Sequence, residues 1–486
     1  MKAENLLRPA DVQSGEGASA SAPEEAAART ISETLAGFAA ELRYEDIPAE
    51  VRERARYLIL DAVGIAFAST RWDFADKTLS ALHGLGGSGS CTVLGMPARL
   101  PLRDAVLLNG VLVHGLDYDD THIAGIIHTT ASVLPCSLGV AEHRGASGKE
   151  LLTAYVVGVE TAARLAAVAK GGFHQVGFHP TGLVGAFGCA LAAGRLFGAN
   201  AEELTMAQGI ALSTGAGSME FLEDGAWTKR MHPGWAGVAG ITAAALAKQG
   251  FIAPRRAYEG RFGLFASHLG EWYEGRDMAL ATAGLGETWE IERVGVKPFP
   301  ACHFVHGCAD AALALVSQHG LKGGDIARVR ALVPEGTIQT ICEPVARKRR
   351  PVSDYDAKFS VQFVVAAALV RGRFGLAELE PEALGDPEIL ALAERVEYEA
   401  DPDSPFPEAY SGEVRVTLRD GRELAHREQV NRGAPGRPLA NGEIVAKFMD
   451  NAQIAVSRSR AEAVREIVLA LDSHSDLREV VAGLGG

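Results

Sequence analysis

The stretch that decides the fold is TGLVGAFGCALAAGRLF, residues 181–197, which is apolar apart from its first residue and Arg195. Gly185, Gly188 and Gly194 recur in it among alanines. Small side chains let helix backbones approach closely, so the pattern predicts a helix in a tight, all-helical core. The apolar part is too short to span a bilayer, which favours a buried helix over a membrane segment.

Helices are predicted on both sides of this stretch. Ile47-Pro48 precedes the segment 49–68, and proline suits a first helical turn. Val51, Leu58 and Ile65 recur there at helical spacing. Further helices are predicted near 104–116, 130–144, 148–168, 202–216 and 234–249.

The pattern changes after about residue 285. Alternating segments predict strands, and Asp420-Gly421 after the last of them is a hairpin signal. The predicted strands are 289–294, 327–333, 396–399 and 414–418, and the predicted helices among them are 305–318 and 359–371. This section is therefore expected to be α+β.

These patterns predict a mainly α protein. The segments 27–285 and 433–486 are expected to form one large helical domain, because the C-terminal helices should pack back on it. A Pro/Gly-rich linker at 433–442 separates them from a smaller α+β domain at 286–432. Residues 1–26 are rich in Ala, Ser, Glu and Gly and are expected to be a disordered tail.

Composition narrows the class of function. The chain has 486 residues, 47% hydrophobic and 22% charged, as in an ordinary soluble enzyme. A net charge of -14 argues against nucleic acid or an anionic membrane as a partner. The six cysteines are scattered and the first residues lack an apolar signal core, so a reduced protein in the cytoplasm is expected.

The main candidate site is HGLDYDDTH, residues 114–122, followed by His128. Titratable groups in a core-like region are costly to bury unless they are paired or used. One interpretation is a metal site, since Asp117 and Asp120 are one helical turn apart, but no second acidic motif accompanies them. A solvated acidic loop is another. A catalytic cluster is favoured because His114, Thr121 and His122 crowd the same place.

Two later segments supply nitrogen bases and cations. His179 precedes Pro-Thr and the glycine-rich helix, where it is either a capping or core residue or part of an anion site at the helix start. Lys229, Arg230 and His232 offer the positive charge that the chain as a whole lacks; the alternative is a solvated face.

Cys302, His303, His306 and Cys308 are all good zinc ligands, but their spacing is not that of a usual structural zinc site. Nothing like a nucleophile elbow supports a reactive thiol. No GxGxxG or Walker pattern lies at a strand–helix junction, so no nucleotide cofactor is predicted. The basic run 347–350 is expected to be a solvated face, or else a lip over an anionic pocket.

At these residues the chain resembles the MmgE/PrpD family, which includes 2-methylcitrate dehydratase, cis-aconitate decarboxylase and iminodisuccinate epimerase. The resemblance covers roughly residues 35–470. The segments that carry it are NGxxxHGLDYDDTH (109–122), HPTGxxGAFG (179–188), GAWTKRMHPGWA (225–236), KPFPACHFVH (297–306), DAKFSVQF (356–363) and GxPxRPL (433–439).

The resemblance implies a large helical domain with a smaller α+β lid, a homodimer, no metal and no organic cofactor. By the pattern of the decarboxylase members, it implies a site made of Asp117, Thr121, His128, His179 and Lys229. Ungapped matching places Cys302 where those members carry a histidine, a departure for which His303 or His306 would compensate.

The leading hypothesis is a cofactor-independent lyase acting on a small polycarboxylate, namely dehydration of a 2-methylcitrate-like hydroxy acid. Asp117, His128, His179 and Lys229 are the predicted catalytic residues. The predicted substrate-binding residues are Thr121, His122, Arg230, His232, Cys302, His303 and His306. Decarboxylation, epimerisation of a dicarboxylate such as iminodisuccinate, and a non-enzymatic helical scaffold are the alternatives.

Overall fold

Helices dominate the computed structural model, which describes residues 29–486; the predicted tail at 1–26 lies outside the described residues. Helices make up 59% of the structure and strands 9%, which confirms a mainly α fold with a small α+β part. The helices of the first part are α1 (Ile31–Glu41), α2 (Ala49–Ser69), α3 (Asp73–Gly86), α4 (Leu102–His114), α5 (Thr129–Arg144), α6 (Gly148–Ala169), α7 (Gly172–Val176), α8 (Pro180–Leu183), α9 (Gly185–Leu196), α10 (Ala201–Ala211), α11 (Phe221–Asp224), α12 (Thr228–Lys248) and α13 (Leu264–His268).

Local sequence explains where several of these helices begin. At α1 the Thr30 side chain accepts from the Glu33 N–H and the Glu33 carboxylate accepts from the Thr30 N–H. The same reciprocal cap starts α6 and α10. The predicted helix at 181–197 is divided into α8 and α9, and α12 begins at Thr228 rather than 234, with Pro233 inside it.

The small residues have the packing role that the sequence predicts. A Cβ on Gly188 of α9 would lie 2.5 Å from the Gly158 carbonyl oxygen of α6. A Cβ on Gly110 of α4 would lie 2.4 Å from the backbone of Gly234 in α12. Side chains at these crossings would push the helices apart, so glycine sets the interhelical distance.

Helix α6 is long and apolar enough to cross a membrane by length and composition alone. Almost all of its apolar window is buried inside the protein. Its surroundings are those of a central core helix.

The second part of the chain contains a four-stranded sheet in the order β6-β5-β7-β8. The short strands before it are β1 (Cys91–Thr92), β2 (Arg99–Leu100), β3 (Thr121–His122) and β4 (Val294–Gly295). The sheet comprises β5 (Ile326–Val333), β6 (Val396–Ala400), β7 (Gly412–Leu418) and β8 (Glu423–Glu428). β5 and β6 are parallel, and the other pairs are antiparallel. The turn between β7 and β8 contains Gly421 at φ 89°, as the Asp-Gly signal predicts.

Helices cover this sheet and extend beyond it. They are α14 (His306–His319), α15 (Ile338–Ile341), α16 (Val345–Arg349), α17 (Asp354–Ala357), α18 (Val361–Arg371), α19 (Pro381–Leu384) and α20 (Pro387–Ala393).

The strand predicted at 289–294 is wrong. Glu290–Arg293 form a 3-10 helix, and only Val294–Gly295 pair with β3. The Glu160 carboxylate accepts the Ile291 N–H at 2.9 Å, so a side chain takes the place of a sheet partner. Glu290 itself is buried against His122. The alternation of residue types at 289–294 therefore resembles a strand although the segment forms a turn.

The last helices are α21 (Asn441–Ala452), α22 (Arg458–Leu469) and α23 (Leu477–Ala482). α21 packs on α2, where Gly64 leaves room for the Phe448 ring and Asp61 pairs with Lys447 at 2.8 Å. One hydrophobic core draws on residues within 35–296 and 439–484, and the other mainly on residues within 299–434. Ile123, Ile126 and Phe221 belong to the second core, so the 117–128 loop lies where the two cores meet.

We predict that Gly110→Ala lowers the free energy of unfolding by about 1–3 kcal/mol, because its methyl group would overlap the α12 backbone. Gly84→Ala in α3 is the matched control, since no atom lies within 4 Å of the added Cβ, and it should be neutral or slightly stabilising. Chemical denaturation of both variants measures the difference. Equal stability of the two would contradict the close-packing argument.

Candidate active site

A buried cavity of about 40 Å³ lies at the junction of the two hydrophobic cores. The predicted site residues that line it are Asp117, Thr121, His128, His179, Lys229, Cys302 and His303. The cavity therefore brings together groups that are far apart in the sequence, from the α4–α5 loop, the start of α8, the first turn of α12 and the segment before α14.

Asp117 is at the centre of the charge arrangement. Its backbone is left-handed, with φ 51°, and its N–H donates to the His114 carbonyl at 3.0 Å. One carboxylate oxygen accepts from Lys229 Nζ at 3.0 Å and the other from Lys297 Nζ at 2.5 Å. Burial would raise the pKa of Asp117, but the two ammonium groups hold it well below its usual value. Asp117 is therefore a permanently charged clamp on two lysines.

His128 is oriented by the loop that precedes it. Its Nδ1 lies 2.7 Å from the Asp120 carbonyl oxygen and 3.2 Å from Thr121 Oγ1. Because a carbonyl only accepts, Nδ1 carries the proton and Nε2 keeps a free lone pair when the ring is neutral. The backbone N–H of His128 donates to Thr181 Oγ1 at 3.1 Å, which ties the loop to α8.

Asp119 orients a second imidazole. Its carboxylate lies 2.9 Å from His114 Nδ1, and both side chains are fully buried. Burial opposes ionisation of Asp119, but His114 and His128 beside it lower its pKa. The ring of His114 stacks on that of His179, with centroids 5.5 Å apart.

His179 lies immediately before α8, and its Nδ1 is 3.1 Å from His232 Nδ1. Its buried Nε2 makes no hydrogen bond to any residue of 29–486. A ring nitrogen of His179 thus remains available at the cavity.

Three imidazoles could supply metal ligands, because nitrogens of His114, His128 and His179 lie within 4.8 Å of one another. His114 and His128 are backed by oxygen acceptors, as metal-bound histidines usually are. One observation opposes a bound cation. Burial and the ammonium group of Lys229 together lower the pKa of His179. Charge of both signs therefore lies beside the three imidazoles, since Asp119 is 2.9 Å from His114 Nδ1 and 3.6 Å from His128 Nδ1.

The imidazoles at the cavity are held neutral. Burial, reinforced by Lys297, lowers the pKa of His128 well below its usual value, and burial and Lys229 do the same for His179. Burial lowers the pKa of His174, which also lines the cavity, to about 3. At neutral pH these rings can accept protons and act as bases.

The α+β unit supplies the opposite wall. His303 Nε2 lies 2.6 Å from the Asn431 side-chain nitrogen, and Tyr410 donates to the Ile123 carbonyl at 3.1 Å. Burial raises the pKa of the Cys302 thiol, so it remains protonated rather than nucleophilic. Cys308 points to the Leu332 carbonyl in the sheet, which separates it from a zinc set with Cys302.

The structure places four predicted substrate-binding residues behind the cavity wall. His122 binds Glu290 at 2.8 Å, and His306 Nε2 lies 3.1 Å from the Ala301 carbonyl oxygen. Arg230 donates to the Gly115 carbonyl at 2.8 Å and to Asp354 at 3.1 Å, between aromatic rings. His232 supports His179. The four residues do not line this cavity, and their role in substrate binding stays a prediction.

Sequence reasoning missed four polar residues that line the cavity, Lys297, His174, Thr340 and Tyr410. Lys297 begins the KPFPACHFVH segment, so a signal for it was present. His174 lies five residues before His179, in a short glycine-flanked segment. Tyr410 follows an irregular stretch and carries no local signal.

The fold and site define a class: a mainly helical protein with a buried acid–base cavity between two cores. The MmgE/PrpD N-terminal domain model matches residues 33–274, and the C-terminal domain model matches residues 299–473. The chain belongs to the MmgE/PrpD family, which confirms the resemblance noted from its motifs.

Relatives with assigned activities are similar along nearly the whole chain. A cis-aconitate decarboxylase from Homo sapiens is 29% identical over 94% of this chain and 95% of its own length. A cis-aconitate decarboxylase from Aspergillus terreus is 27% identical over 92% of this chain and 94% of its own length. A 2-methylcitrate dehydratase from Cupriavidus necator is 24% identical over 84% and 87%. These relatives are enzymes, of two different lyase reactions.

We predict that the buried histidines make stability depend on pH, and His306 tests this outside the cavity. Burial, and then Lys297, lower its pKa, so the folded protein does not bind a proton there at pH 5, whereas the unfolded chain does. The stability contributed by neutral His306 is therefore lost as the pH falls below about 6.5. Relative to wild type, His306→Asn should gain about 2 kcal/mol between pH 6.5 and 5.

Thermal and chemical unfolding across this pH range measure the difference. His143→Asn, at an exposed histidine, is the control and should track wild type at every pH. A His306→Asn variant that loses stability in parallel with wild type would contradict the prediction.

Proposed function

We propose that the protein is a cofactor-independent lyase for a small polycarboxylate, and that it dehydrates a 2-methylcitrate-like hydroxy acid. The observation that carries the proposal is the pairing of neutral imidazoles with two buried ammonium groups in one cavity. Lysine cations attract carboxylates, and a neutral imidazole removes a proton from the adjacent carbon. The second core beside the cavity would act as a lid that excludes water.

The base in this proposal is an imidazole rather than Asp117. Both oxygens of Asp117 are occupied by lysines, and its low pKa makes it a weak base. His128 Nε2 and His179 Nε2 are the nitrogens whose rings are oriented by other contacts. Asp117 instead positions Lys229 and Lys297 where negative charge develops.

In the elimination step the proton taken from the substrate leaves again with the hydroxide. The imidazole takes the proton from the carbon next to a carboxylate, and the electron pair forms the double bond as the C–O bond breaks. The imidazolium returns its proton to the departing hydroxide, which leaves as water. Lys229 stabilises the charge on the carboxylate throughout.

Decarboxylation of a cis-aconitate-like acid is the second candidate. Its support is the similarity to cis-aconitate decarboxylases from Homo sapiens and Aspergillus terreus over almost the full chain. Cys302, a protonated thiol at the position where the resemblance to the decarboxylase pattern implies a histidine, weakens this candidate. A cytoplasmic homodimer remains part of the proposal, as a prediction from the sequence.

Product analysis distinguishes the candidates. Purified protein incubated with 2-methylcitrate, citrate, cis-aconitate and iminodisuccinate is expected to remove one water from a hydroxy acid, seen by mass spectrometry. Loss of CO2 from cis-aconitate would show that the protein is a decarboxylase and not a dehydratase. An unchanged mass with inverted chirality by NMR would indicate an epimerase. Activity abolished by a chelator and restored by a divalent metal would overturn the cofactor-independent mechanism.

Replacing Lys229 tests the role of the cavity cation. Lys229→Met should lower kcat/KM on the order of 10²- to 10³-fold, because one group that stabilises the developing charge is removed. The fold should persist, since Lys297 still pairs with Asp117. Lys358→Met is the matched control, because Lys358 is equally buried and ion-paired to Asp354 but does not line the cavity. Equal losses of kcat/KM in both variants would contradict a specific role for Lys229 in the cavity, and wild type without turnover of any candidate acid would favour the helical scaffold.

A further inference from the structure

All but one of the buried lysines among residues 29–486 form an ion pair with an aspartate. Five lysines in residues 29–486 are buried, namely Lys229, Lys297, Lys348, Lys358 and Lys447. Four of them form ion pairs with buried or partly buried aspartates. Lys348 forms none with any carboxylate of the described chain, although it is only 4% exposed.

Lys348 lies on α16, within the basic run 347–350. Its Nζ donates to the Thr340 carbonyl at 2.9 Å. Asp356, a nearby carboxylate that would favour its charge, is bound by Arg347 at 3.0 Å. An ammonium group removed from water with a single carbonyl partner is costly, and burial accordingly lowers its pKa. The unmatched charge calls for an anion.

The position of Lys348 indicates which anion. Lys348 and Thr340 line a cleft of about 630 Å³, and Thr340 also lines the catalytic cavity. Ile126, Met219 and Phe304 are shared by the two spaces as well, so they adjoin. Three carboxylates, Glu220, Glu223 and Glu343, line the same cleft, but none of them forms an ion pair with Lys348, and Glu343 accepts from the Tyr398 hydroxyl at 2.7 Å.

Charge counting within the cavity points the same way. Lys229 and Lys297 share the carboxylate of Asp117, and the second buried carboxylate of the site, Asp119, also acts on Lys297, so carboxylates of the protein already balance the two cavity lysines. A tricarboxylate carries up to three negative charges, so it needs a further cation within reach. Among the residues that the structure describes, Lys348 is the buried lysine beside the cavity that pairs with no carboxylate.

We propose that Lys348 binds a distal carboxylate of the substrate, one that extends from the catalytic cavity into the adjoining cleft, and thereby selects tricarboxylates over dicarboxylates. The inference rests on the proposed function for the identity of the substrate. In it Lys348 is a binding residue, remote from the imidazoles that move protons.

The test is binding of two inert acids to wild type and to Lys348→Met. Propane-1,2,3-tricarboxylate carries the additional terminal carboxylate, and succinate lacks that arm. By calorimetry, the variant should bind the tricarboxylate about 10- to 100-fold more weakly, the loss of a charged hydrogen bond. Succinate should bind both proteins alike. The melting temperature of the variant should be equal to or above that of wild type, because an unpaired buried charge is gone.

Arg350→Met is the matched control. Arg350 belongs to the same basic run, but it is exposed and pairs with Glu394 at 2.7 Å. Its loss should change neither acid's affinity. Lys348→Arg, which keeps the charge, should restore part of the preference for the tricarboxylate.

Two results would overturn the inference: unchanged tricarboxylate binding in Lys348→Met, or equal weakening for both acids, which together with a lowered melting temperature would indicate a structural lysine. Wild type that fails to bind the tricarboxylate would also overturn it. Selective weakening in a protein that turns over none of the candidate acids would instead leave the anion subsite intact and reject the proposed lyase function.

Discussion

The buried carboxylate of Asp117 is the constraint on which the site depends. It neutralises two ammonium groups that burial would otherwise make very costly, and removing one partner from such a pair typically costs about 3–5 kcal/mol. Lys229 comes from α12 and Lys297 from the segment after β4. One side chain therefore fixes the α4–α5 loop against both a core helix and the start of the second unit. The geometry of the cavity follows from that clamp.

The clamp needs a backbone conformation that most residues avoid. Asp117 is left-handed, and aspartate is among the few non-glycine residues that tolerate this region. The next residue is held from the other end of the chain, because Lys447 of α21 donates to the Tyr118 carbonyl at 2.8 Å. Lys447 is paired in turn with Asp61 of α2. The return of the C-terminal helices to the first core thus supports the loop that carries Asp117, as well as burying apolar surface.

Much of this arrangement was predictable from sequence, for identifiable reasons. Glycines at helix crossings and Asp-Gly at a hairpin are local signals, and they located α9 and the β7–β8 turn. The segment 289–294 was mistaken for a strand because alternation cannot reveal that Glu160, far away in sequence, takes the backbone N–H of Ile291. The contacts of Arg230 were hidden for the same reason: its charge is evident from the sequence, but its partners, Asp354 and the Gly115 carbonyl, are far away along the chain.

The same limit explains the lysines. A sequence shows that Lys229, Lys297 and Lys348 exist. Only the folded chain shows that two of them share one carboxylate and that the third pairs with none among residues 29–486. The protein has a net charge of -14, so its surface as a whole repels anions. An anion is attracted only where buried cations are separated from the negative charges of the surface. The same burial keeps the neighbouring imidazoles unprotonated. Lysine cations that bind a substrate and neutral histidines that act as bases can therefore coexist within one cavity. Besides attracting the substrate, the lysine charge opposes protonation of the histidines before the substrate binds.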